Sequence, residues 1–114
     1  MALVLKKRDS IRPEPFEADG GRLNLVDVIA QPEGAPLTAG ILEIWHDEPV
    51  DFDYDNDCAV CFMLEGEIEL TEGEETYRFE PGDVVYVPQQ EGLIVSWHTP
   101  DYGKIAYVTY PHWR

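Results

Sequence analysis

The stretch FMLEGEIELTEGEETYRFEPGDVVYVPQQ, residues 62–90, decides the fold. Near its start, Ile68 and Leu70 alternate with glutamates, which is the period-2 pattern of a strand with one buried and one solvated face. A glycine-containing turn at residues 72–75 follows, and the chain then returns as a second strand. The pattern predicts an antiparallel hairpin with one solvent-exposed face, in which Tyr77 and Phe79 continue the inward face.

The second half of the stretch predicts a tight turn and another strand. Pro81 and Gly82 have the signature of a type II turn, because proline fixes φ near its preferred value and glycine accepts a positive φ. The run VVYVP at residues 84–88 is apolar on both faces. A strand that is apolar on both faces is typical of the middle of a sheet, so we expect a central strand here.

Short runs rich in β-branched and aromatic residues recur along the rest of the 114-residue chain, and no window has helical periodicity. The pattern predicts a single all-β domain with the rhythm of a sandwich or barrel, and a loop over residues 9–21. We divide the chain into an N-terminal strand and loop that pack on the barrel, residues 1–36, and the barrel itself, residues 37–114. The expected strands are Leu3–Lys6, Leu23–Ala30, Thr38–His46, Ala59–Leu64, Glu67–Thr71, Thr76–Phe79, Val84–Val87, Leu93–His98 and Lys104–Tyr110.

The charge balance excludes some classes of partner. The chain has 23 acidic residues against 8 lysines and arginines, a formal net charge of -15. Such a surface repels nucleic acids and anionic membranes, so we expect neither as a partner. The start of the sequence does not resemble a signal peptide, and no apolar run is long enough to cross a bilayer, so a cytoplasmic protein with reduced thiols is expected.

Cys58 and Cys61 form a C-x-x-C pair. On a strand, positions i and i+3 point to opposite faces, so the two sulfurs could share neither a disulfide nor a metal. We therefore expect two packed, reduced thiols.

On the motifs FMLEGEIEL and FEPGDVVYVPQQ the chain resembles the cupin superfamily, over about residues 37–110. Further similarity in AGILEIW and in the ending AYVTYPHWR is to the EutQ-like, ethanolamine-utilisation cupins. The resemblance implies a double-stranded β-helix, the jelly-roll barrel. It also implies a metal site built from two histidines and a glutamate in the first motif and one histidine in the second.

This sequence departs from that ligand set. Counted from the motif glycines, the position of the glutamate ligand is Ala59, and the position of the last histidine ligand is Leu93. The two paired histidine ligands correspond to Phe52 and Tyr54 in one spacing of the motif, or to Asp53 and Asp55 in the other. Alanine and leucine have no lone pair to donate, so we expect no cofactor and no metal at the usual site.

The aspartates of DFDYDNDC, residues 51–58, have two readings. If Phe52 and Tyr54 face inward, the aspartates are solvated; if Asp53 and Asp55 face inward, two carboxylates enter a cavity that lacks further ligands. A calcium loop does not fit, because the sixth and twelfth positions are not glycine and glutamate. We favour the solvated stretch, because exposed runs of acidic residues are common and burying like charges is costly.

Parity along the strands predicts the barrel interior. Leu93, Val95 and Trp97 should share an inward face, as should the set Ala59, Cys61 and Met63 and the set Ile105, Tyr107 and Thr109. The expected ligand-binding residues at the cavity mouth are Tyr54, Cys61, Trp97 and Tyr107, with Asp53 or Asp55 at the rim. Each of the three histidines, His46, His98 and His112, is expected at the surface rather than in catalysis.

Three functions are compatible with these features. The first is a metal-free cupin that binds a small organic metabolite in the barrel, for which a cation is one candidate class. The second is an enzyme, either an acetate kinase as the EutQ resemblance implies or a divalent-metal cupin that uses aspartates; the chain lacks a glycine-rich phosphate cradle and a basic cluster. The third is a structural or accessory homodimer, in which Ala2–Leu5 extends the sheet of the partner.

Overall fold

The computed structural model describes residues 3–17, 22–45 and 48–114. Within these residues the fold is all-β, as predicted, with two short 3-10 turns at Arg8–Ser10 and Gln31–Glu33. Ten strands are formed: β1 Glu14–Glu17, β2 Arg22–Ile29, β3 Thr38–Trp45, β4 Val50–Asp53, β5 Cys58–Gly66, β6 Ile68–Glu72, β7 Glu75–Phe79, β8 Val84–Val87, β9 Ile94–His98 and β10 Tyr102–Tyr110.

The strands make two antiparallel sheets that enclose one core. The larger sheet has six strands in the order β1-β2-β3-β10-β5-β8, and the smaller has four in the order β4-β9-β6-β7. Strand β10 is central, because it pairs along its length with β3 on one side and β5 on the other. The two inner faces meet in a core that includes Leu23, Ile44, Ile68, Trp97 and Ile105. This is the jelly-roll barrel expected from the sequence.

The two turns of the deciding stretch form as predicted. Strands β6 and β7 pair with Glu72 opposite Glu75, which leaves Gly73 and Glu74 as the hairpin loop. In the second turn the amide of Asp83 donates to the carbonyl of Glu80 at 2.9 Å. Gly82 has φ +93°, the conformation that a type II turn requires at this position.

The inward faces also follow the predicted parity. Leu93, Val95 and Trp97 are buried. The same holds for Ala59, Cys61 and Met63, and for Ile105, Tyr107 and Thr109. Cys58 and Cys61 are both free thiols on opposite faces of β5; Cys61 is buried, and the Cys58 thiol donates to the carbonyl of Tyr110 at 3.4 Å.

Five local predictions were wrong. Strand β8 is not central but forms an edge of the six-stranded sheet. Residues 3–7 form no strand, whereas β1 lies inside the stretch predicted as a loop. Strand β4 was missed, because two of its four residues are aspartates. Tyr77 has the parity of the buried Phe79 but is exposed, and its hydroxyl donates to the carboxylate of Glu75 beside the hairpin loop.

The described residues include no helix that is both long and apolar enough to cross a membrane.

Candidate functional site

A cavity of about 950 Å³ lies between the two sheets. The larger sheet contributes the aliphatic floor of the cavity and the residues Tyr107 and Thr109, through strands β2, β3, β5 and β10. Strands β4 and β9 of the smaller sheet contribute its acidic and aromatic side. Six aromatic rings line it: Phe16, Phe52, Tyr54, Trp97, Tyr107 and Trp113.

At its start, the stretch DFDYDNDC has the first of the two predicted arrangements, in which Phe52 and Tyr54 face inward. Tyr54 is buried and Phe52 half-buried, and both line the cavity. Asp51 and Asp53 are exposed at the cavity rim, where the Ser96 hydroxyl donates to the Asp51 carboxylate. The alternation follows from β4 pairing with β9, which places Phe52 opposite the buried Val95.

Asp55, one of the predicted site residues, lies outside the cavity lining. Its carboxylate accepts a hydrogen bond from the amide of Gly92 at 2.8 Å, and its carbonyl accepts one from the side chain of Gln89 at 3.2 Å. These bonds tie the loop after β4 to the loop before β9. The structure therefore brings Tyr54, Cys61, Trp97, Tyr107 and Asp53 together and leaves Asp55 in a structural contact.

Asp57 is one of the cavity residues that the sequence analysis missed, along with Phe16 and Trp113. Its exposed fraction is only 8%, no hydrogen bond to its carboxylate is formed among the described residues, and its oxygens are not among the fully buried, unpaired atoms. Burial, reinforced by the nearby charge of Asp53, raises the pKa of Asp57 above its ordinary value. The signal was present in the sequence, because Asp57 lies two residues before Ala59 and so shares its inward parity.

Tyr107 crosses the neighbouring strand to reach an acid on the next one. The register places Tyr107 opposite Gly40 on β3, and Gly40 opposite Asp27 on β2. A Cβ at Gly40 would overlap both the Val26 carbonyl and the Tyr107 hydroxyl, so a glycine is required beneath the ring. The Tyr107 hydroxyl donates to Asp27 at 2.6 Å, which leaves its lone pairs as acceptors.

The segment after β10 closes one end of the cavity through the same aspartate. Trp113 donates its indole N–H to Asp27 at 2.9 Å, and the Arg114 guanidinium donates at 2.7 Å. The Trp113 ring packs edge-on against Phe16, with ring centroids 5.5 Å apart. Burial alone would raise the pKa of Asp27, but the hydrogen bonds from Tyr107, Trp113 and Arg114 together lower it.

Trp97 forms the back wall of the cavity. Its ring makes edge-on contacts with Phe52 and Phe79, each at 6.3 Å between centroids. The buried indole N–H of Trp97 lies near enough to the Tyr54 hydroxyl to reduce the rise in its pKa that burial causes, although the two do not form a well-aligned hydrogen bond. The hydroxyl of Thr109 is buried and has no hydrogen-bond partner among the described residues. Such unpaired buried groups are rare in folded proteins and are found more often at sites of binding or strain.

Cys61 and Tyr54, two of the predicted ligand-binding residues, are uncharged in the cavity. Burial raises the pKa of the Cys61 thiol to about 12, so it is not a thiolate at neutral pH and is a poor nucleophile. Burial also raises the pKa of Tyr54, with a smaller contribution from the nearby Cys61. Both side chains are therefore uncharged parts of the cavity wall.

The residues present do not fit the metal site that the fold implies. Ala59 lines the cavity with a methyl group, and Leu93 is buried against a second cleft. Among the described residues, no three His, Cys, Asp or Glu side chains are grouped so that they could hold a metal ion. The donor chemistry at these positions is therefore missing.

The described histidines lie away from the cavity lining. The Nδ1 atom of His112 is 2.7 Å from the hydroxyl of the buried Thr38, which fixes the segment after β10. His98 is half-buried on the outward face of β9, opposite Glu69. His46 lies outside the described residues.

The cavity wall is therefore rich in acceptors and negative charge. Its acids are Asp51, Asp53 and Asp57, and the described residues that line it include no lysine, arginine or histidine. Arg114 is near but already committed, since it pairs with Asp27 and its guanidinium lies 4.7 Å from the Trp113 ring centroid.

Comparison with known proteins places this architecture in a family. The family model of the EutQ-like cupin domain matches residues 36–104, more than half of the chain. The acetate kinase EutQ of Salmonella typhimurium is 27% identical over 95 residues, which cover 81% of this chain. The match spans only 39% of the length of that relative, so the chain corresponds to part of it.

Solved structures agree on the fold. An ethanolamine utilization protein Q from Salmonella typhimurium LT2 superposes with a TM-score of 0.82 at 22% identity, covering 96% of this chain and 87% of that one. Ectoine synthase from P. lautus superposes with a TM-score of 0.79 at 17% identity, covering 96% of this chain and 79% of that one. Because proteins with different chemistry share this barrel, the function has to be argued from the cavity.

Proposed function

The chain belongs to the EutQ-like cupin family, and from that premise we propose that it is a metal-free cupin that binds a small organic ammonium compound in the barrel cavity. The ligand enters between the acidic rim and the aromatic wall. Its positive charge lies beside Asp57, and its carbon skeleton packs on Phe52, Tyr54 and Trp97.

The observation that carries this proposal is the state of Asp57. Asp57 is largely buried, and both its burial and the nearby charge of Asp53 disfavour its charged form, while no cationic side chain lines the described cavity beside it. At about 4 Å a cation would gain about 4 kcal/mol of attraction from a carboxylate in a medium of intermediate dielectric constant. A bound cation therefore offsets the cost that the apo protein carries at Asp57.

The aromatic wall supports the same class of ligand. The faces of aromatic rings attract cations, and this attraction increases when water is excluded. The cavity of about 950 Å³ is large enough for a small metabolite. Anions are disfavoured, because Asp51, Asp53 and Asp57 line the cavity without a cationic side chain among the described lining residues.

A thermal-shift panel tests the proposal. Short-chain primary and quaternary ammonium compounds are compared with alcohols and carboxylates of the same carbon skeleton, all at equal ionic strength. Ethanolamine belongs in the panel, because it carries an ammonium group and the name of one structural relative refers to its utilization. We expect at least one ammonium compound to raise the melting temperature in a saturable way. Equal responses to the neutral analogues would contradict the charge argument.

The position of the site is tested with variants of two wall residues. Trp97→Phe keeps an aromatic ring in the wall but removes part of its contact surface, and Tyr107→Ala removes a ring that lines the cavity. Both should weaken binding of whichever ammonium compound stabilises the wild type. Ile94→Ala, on the exposed outer face of β9, is the matched control and should bind as the wild type does. Normal binding by both wall variants would mean that the ligand binds elsewhere.

An enzymatic function is the second candidate, favoured by the similarity to a relative named acetate kinase. Acetate and nucleotide phosphates are anions, and each would have to approach three cavity aspartates. An assay of ADP formation from acetate and ATP in the presence of Mg²⁺ decides this point. Turnover well above background, abolished in Asp57→Asn, would replace the binding proposal with phosphoryl transfer or with a divalent-metal enzyme that uses aspartates.

A further inference from the structure

We propose that the cavity selects ligands whose ammonium group carries at least two N–H bonds, that is, primary and secondary ammonium compounds. One N–H donates to the Asp57 carboxylate and a second donates to the Thr109 hydroxyl, so that both side chains hold the same nitrogen. This inference rests on the proposed function and deepens it, because it names the class of ammonium group that the site accepts.

Thr109 is a polar side chain for which the described barrel provides no partner. It lines the cavity and is only 6% exposed, and its hydroxyl forms no hydrogen bond among the described residues. A buried hydroxyl without a partner destabilises a protein, and such a group in a native structure calls for an explanation. A hydrogen bond from a ligand in the cavity supplies that explanation.

The strands on either side of Thr109 do not satisfy its hydroxyl. In the register of the larger sheet, Thr109 of β10 lies between Thr38 of β3 and Ala59 of β5. The Thr38 hydroxyl is already paired with the Nδ1 atom of His112, at 2.7 Å, and the Ala59 side chain is a methyl group. The cavity is therefore the direction from which a partner for Thr109 has to come.

The same register brings Asp57 close to Thr109. Asp57 lies two residues before Ala59, and the pairing of β5 with β10 continues as far as Cys58. Both Asp57 and Thr109 line the cavity. On one face of an antiparallel pair, such diagonal neighbours are about 7–8 Å apart, and somewhat less between their Cβ atoms. Their side-chain oxygens can therefore reach one nitrogen together, at about 2.9 Å from each.

The number of N–H bonds decides which ammonium groups can use both acceptors. A primary ammonium group has three N–H donors and a secondary one has two, whereas a tertiary group has one and a quaternary group has none. An ionised carboxylate only accepts hydrogen bonds, and a threonine hydroxyl has two lone pairs that accept them. A tertiary ligand could donate to Asp57 alone, and a quaternary ligand would leave both acceptors without a partner.

The first test is a methylation series, measured by calorimetric titration of the wild type at pH 7 and equal ionic strength. The series consists of n-butylamine and its N-methyl, N,N-dimethyl and N,N,N-trimethyl derivatives, all of which are cations at this pH. We expect the primary and secondary compounds to bind with similar affinity. Between the secondary and the tertiary compound the affinity should fall by about tenfold or more, because the bond to Thr109 is lost.

Variants of Thr109 separate the effect of the hydroxyl from the effect of added bulk. Thr109→Val replaces the hydroxyl with a methyl group and should remove the step between the secondary and the tertiary compound. Thr109→Ser keeps the hydroxyl and should keep the step. Without ligand, Thr109→Val should melt at or above the temperature of the wild type, because the variant no longer buries an unpaired hydroxyl. Thr76→Val, at an exposed position of β7 outside the cavity lining, is the matched control and should bind as the wild type does.

The possible failures of this inference and of the proposed function differ. A gradual decline across the series, or a step that persists in Thr109→Val, would overturn the inference, because bulk would then limit the methylated ligands. Tightest binding of the quaternary compound would also overturn it, because the aromatic wall would then hold the cation. Each of these results leaves the proposed ammonium site intact. Absence of binding by all four compounds would overturn the inference at its premise, the binding of small ammonium compounds.

Discussion

Asp57 brings a negative charge into a wall where none of the described residues donates a hydrogen bond to it. Because its pKa in the fold lies above the ordinary value of 3.8, the folded state binds its proton more tightly than the unfolded state does. The contribution of Asp57 to stability therefore falls as the pH rises above that ordinary value and is unfavourable at neutral pH. The residue weakens the apo protein at the pH where a cationic ligand would need it.

The first prediction concerns the stability of Asp57→Asn. At pH 7 we expect the free energy of unfolding to increase by about 1 kcal/mol, because the variant removes a charge that burial and the neighbouring Asp53 disfavour. Urea unfolding without added ligand measures this. The difference between variant and wild type should shrink as the pH falls and Asp57 becomes protonated. A variant that is less stable than the wild type at pH 7 would contradict the described environment of Asp57.

Asp27 provides the opposite case and the second prediction. Its pKa is lowered, so it stabilises the fold above the ordinary value of 3.8 and loses this effect as the pH falls through its lower value in the fold. We expect Asp27→Asn to cost about 1–3 kcal/mol at pH 7, because hydrogen bonds to a charged acceptor are stronger than those to a neutral one. In acid the difference from the wild type should narrow. A deficit independent of pH would mean that the charge of Asp27 is not what matters.

For the strands, the sequence predicted which side chains face inward, but it did not predict which neighbouring strands lie beside each strand. Parity placed Tyr54, Cys61, Trp97 and Tyr107 in one cavity, because a period-2 repeat fixes direction once one residue is known. Parity cannot tell how many neighbours a strand has. Strand β8 therefore looked central although it is an edge of the six-stranded sheet.

The ends of the chain escaped prediction for a different reason. Trp113 lines the cavity because Asp27, on β2, binds the segment after β10, and Phe16 lines it beside Trp113, against which it packs. Such contacts depend on the folded arrangement rather than on a local pattern. Strand β4 was missed because its alternating aspartates resemble a solvated loop, although their alternation is itself compatible with an edge strand.

The crossing of β3 by Tyr107 gives the third prediction, at the scale of three neighbouring strands. Gly40→Ala should lower the free energy of unfolding by about 1–3 kcal/mol, because the added methyl meets the Val26 carbonyl and the Tyr107 hydroxyl. Urea unfolding measures the loss. Ala39→Gly, at the neighbouring position on the opposite face of β3, is the comparison for the effect of glycine itself in this strand. An unchanged stability in Gly40→Ala would show that Tyr107 does not need the close approach.

For the whole molecule, the strongly acidic chain has Ala59 and Leu93 at two positions where the fold would carry metal donors, and within residues 3–17, 22–45 and 48–114 no group of donors could hold a metal ion. The fourth prediction follows from this donor set. Protein purified without a histidine tag and without added metal should contain far less than one metal ion per chain. Its melting temperature, and its response to an ammonium compound that binds, should be unchanged by a chelator. Stoichiometric iron, manganese, nickel or zinc in the purified protein would contradict the proposed metal-free site.

The central claim is that a positive charge on the ligand is recognised by Asp57 inside the barrel. Its most direct test is calorimetric titration of the tightest-binding ammonium compound into the wild type and into Asp57→Asn, with Asp55→Asn as the control for an aspartate outside the cavity. We predict that Asp57→Asn loses about tenfold or more in affinity while remaining as stable as the wild type or more so. Asp55→Asn should bind as the wild type does. Equal affinities in the wild type and Asp57→Asn would contradict the account.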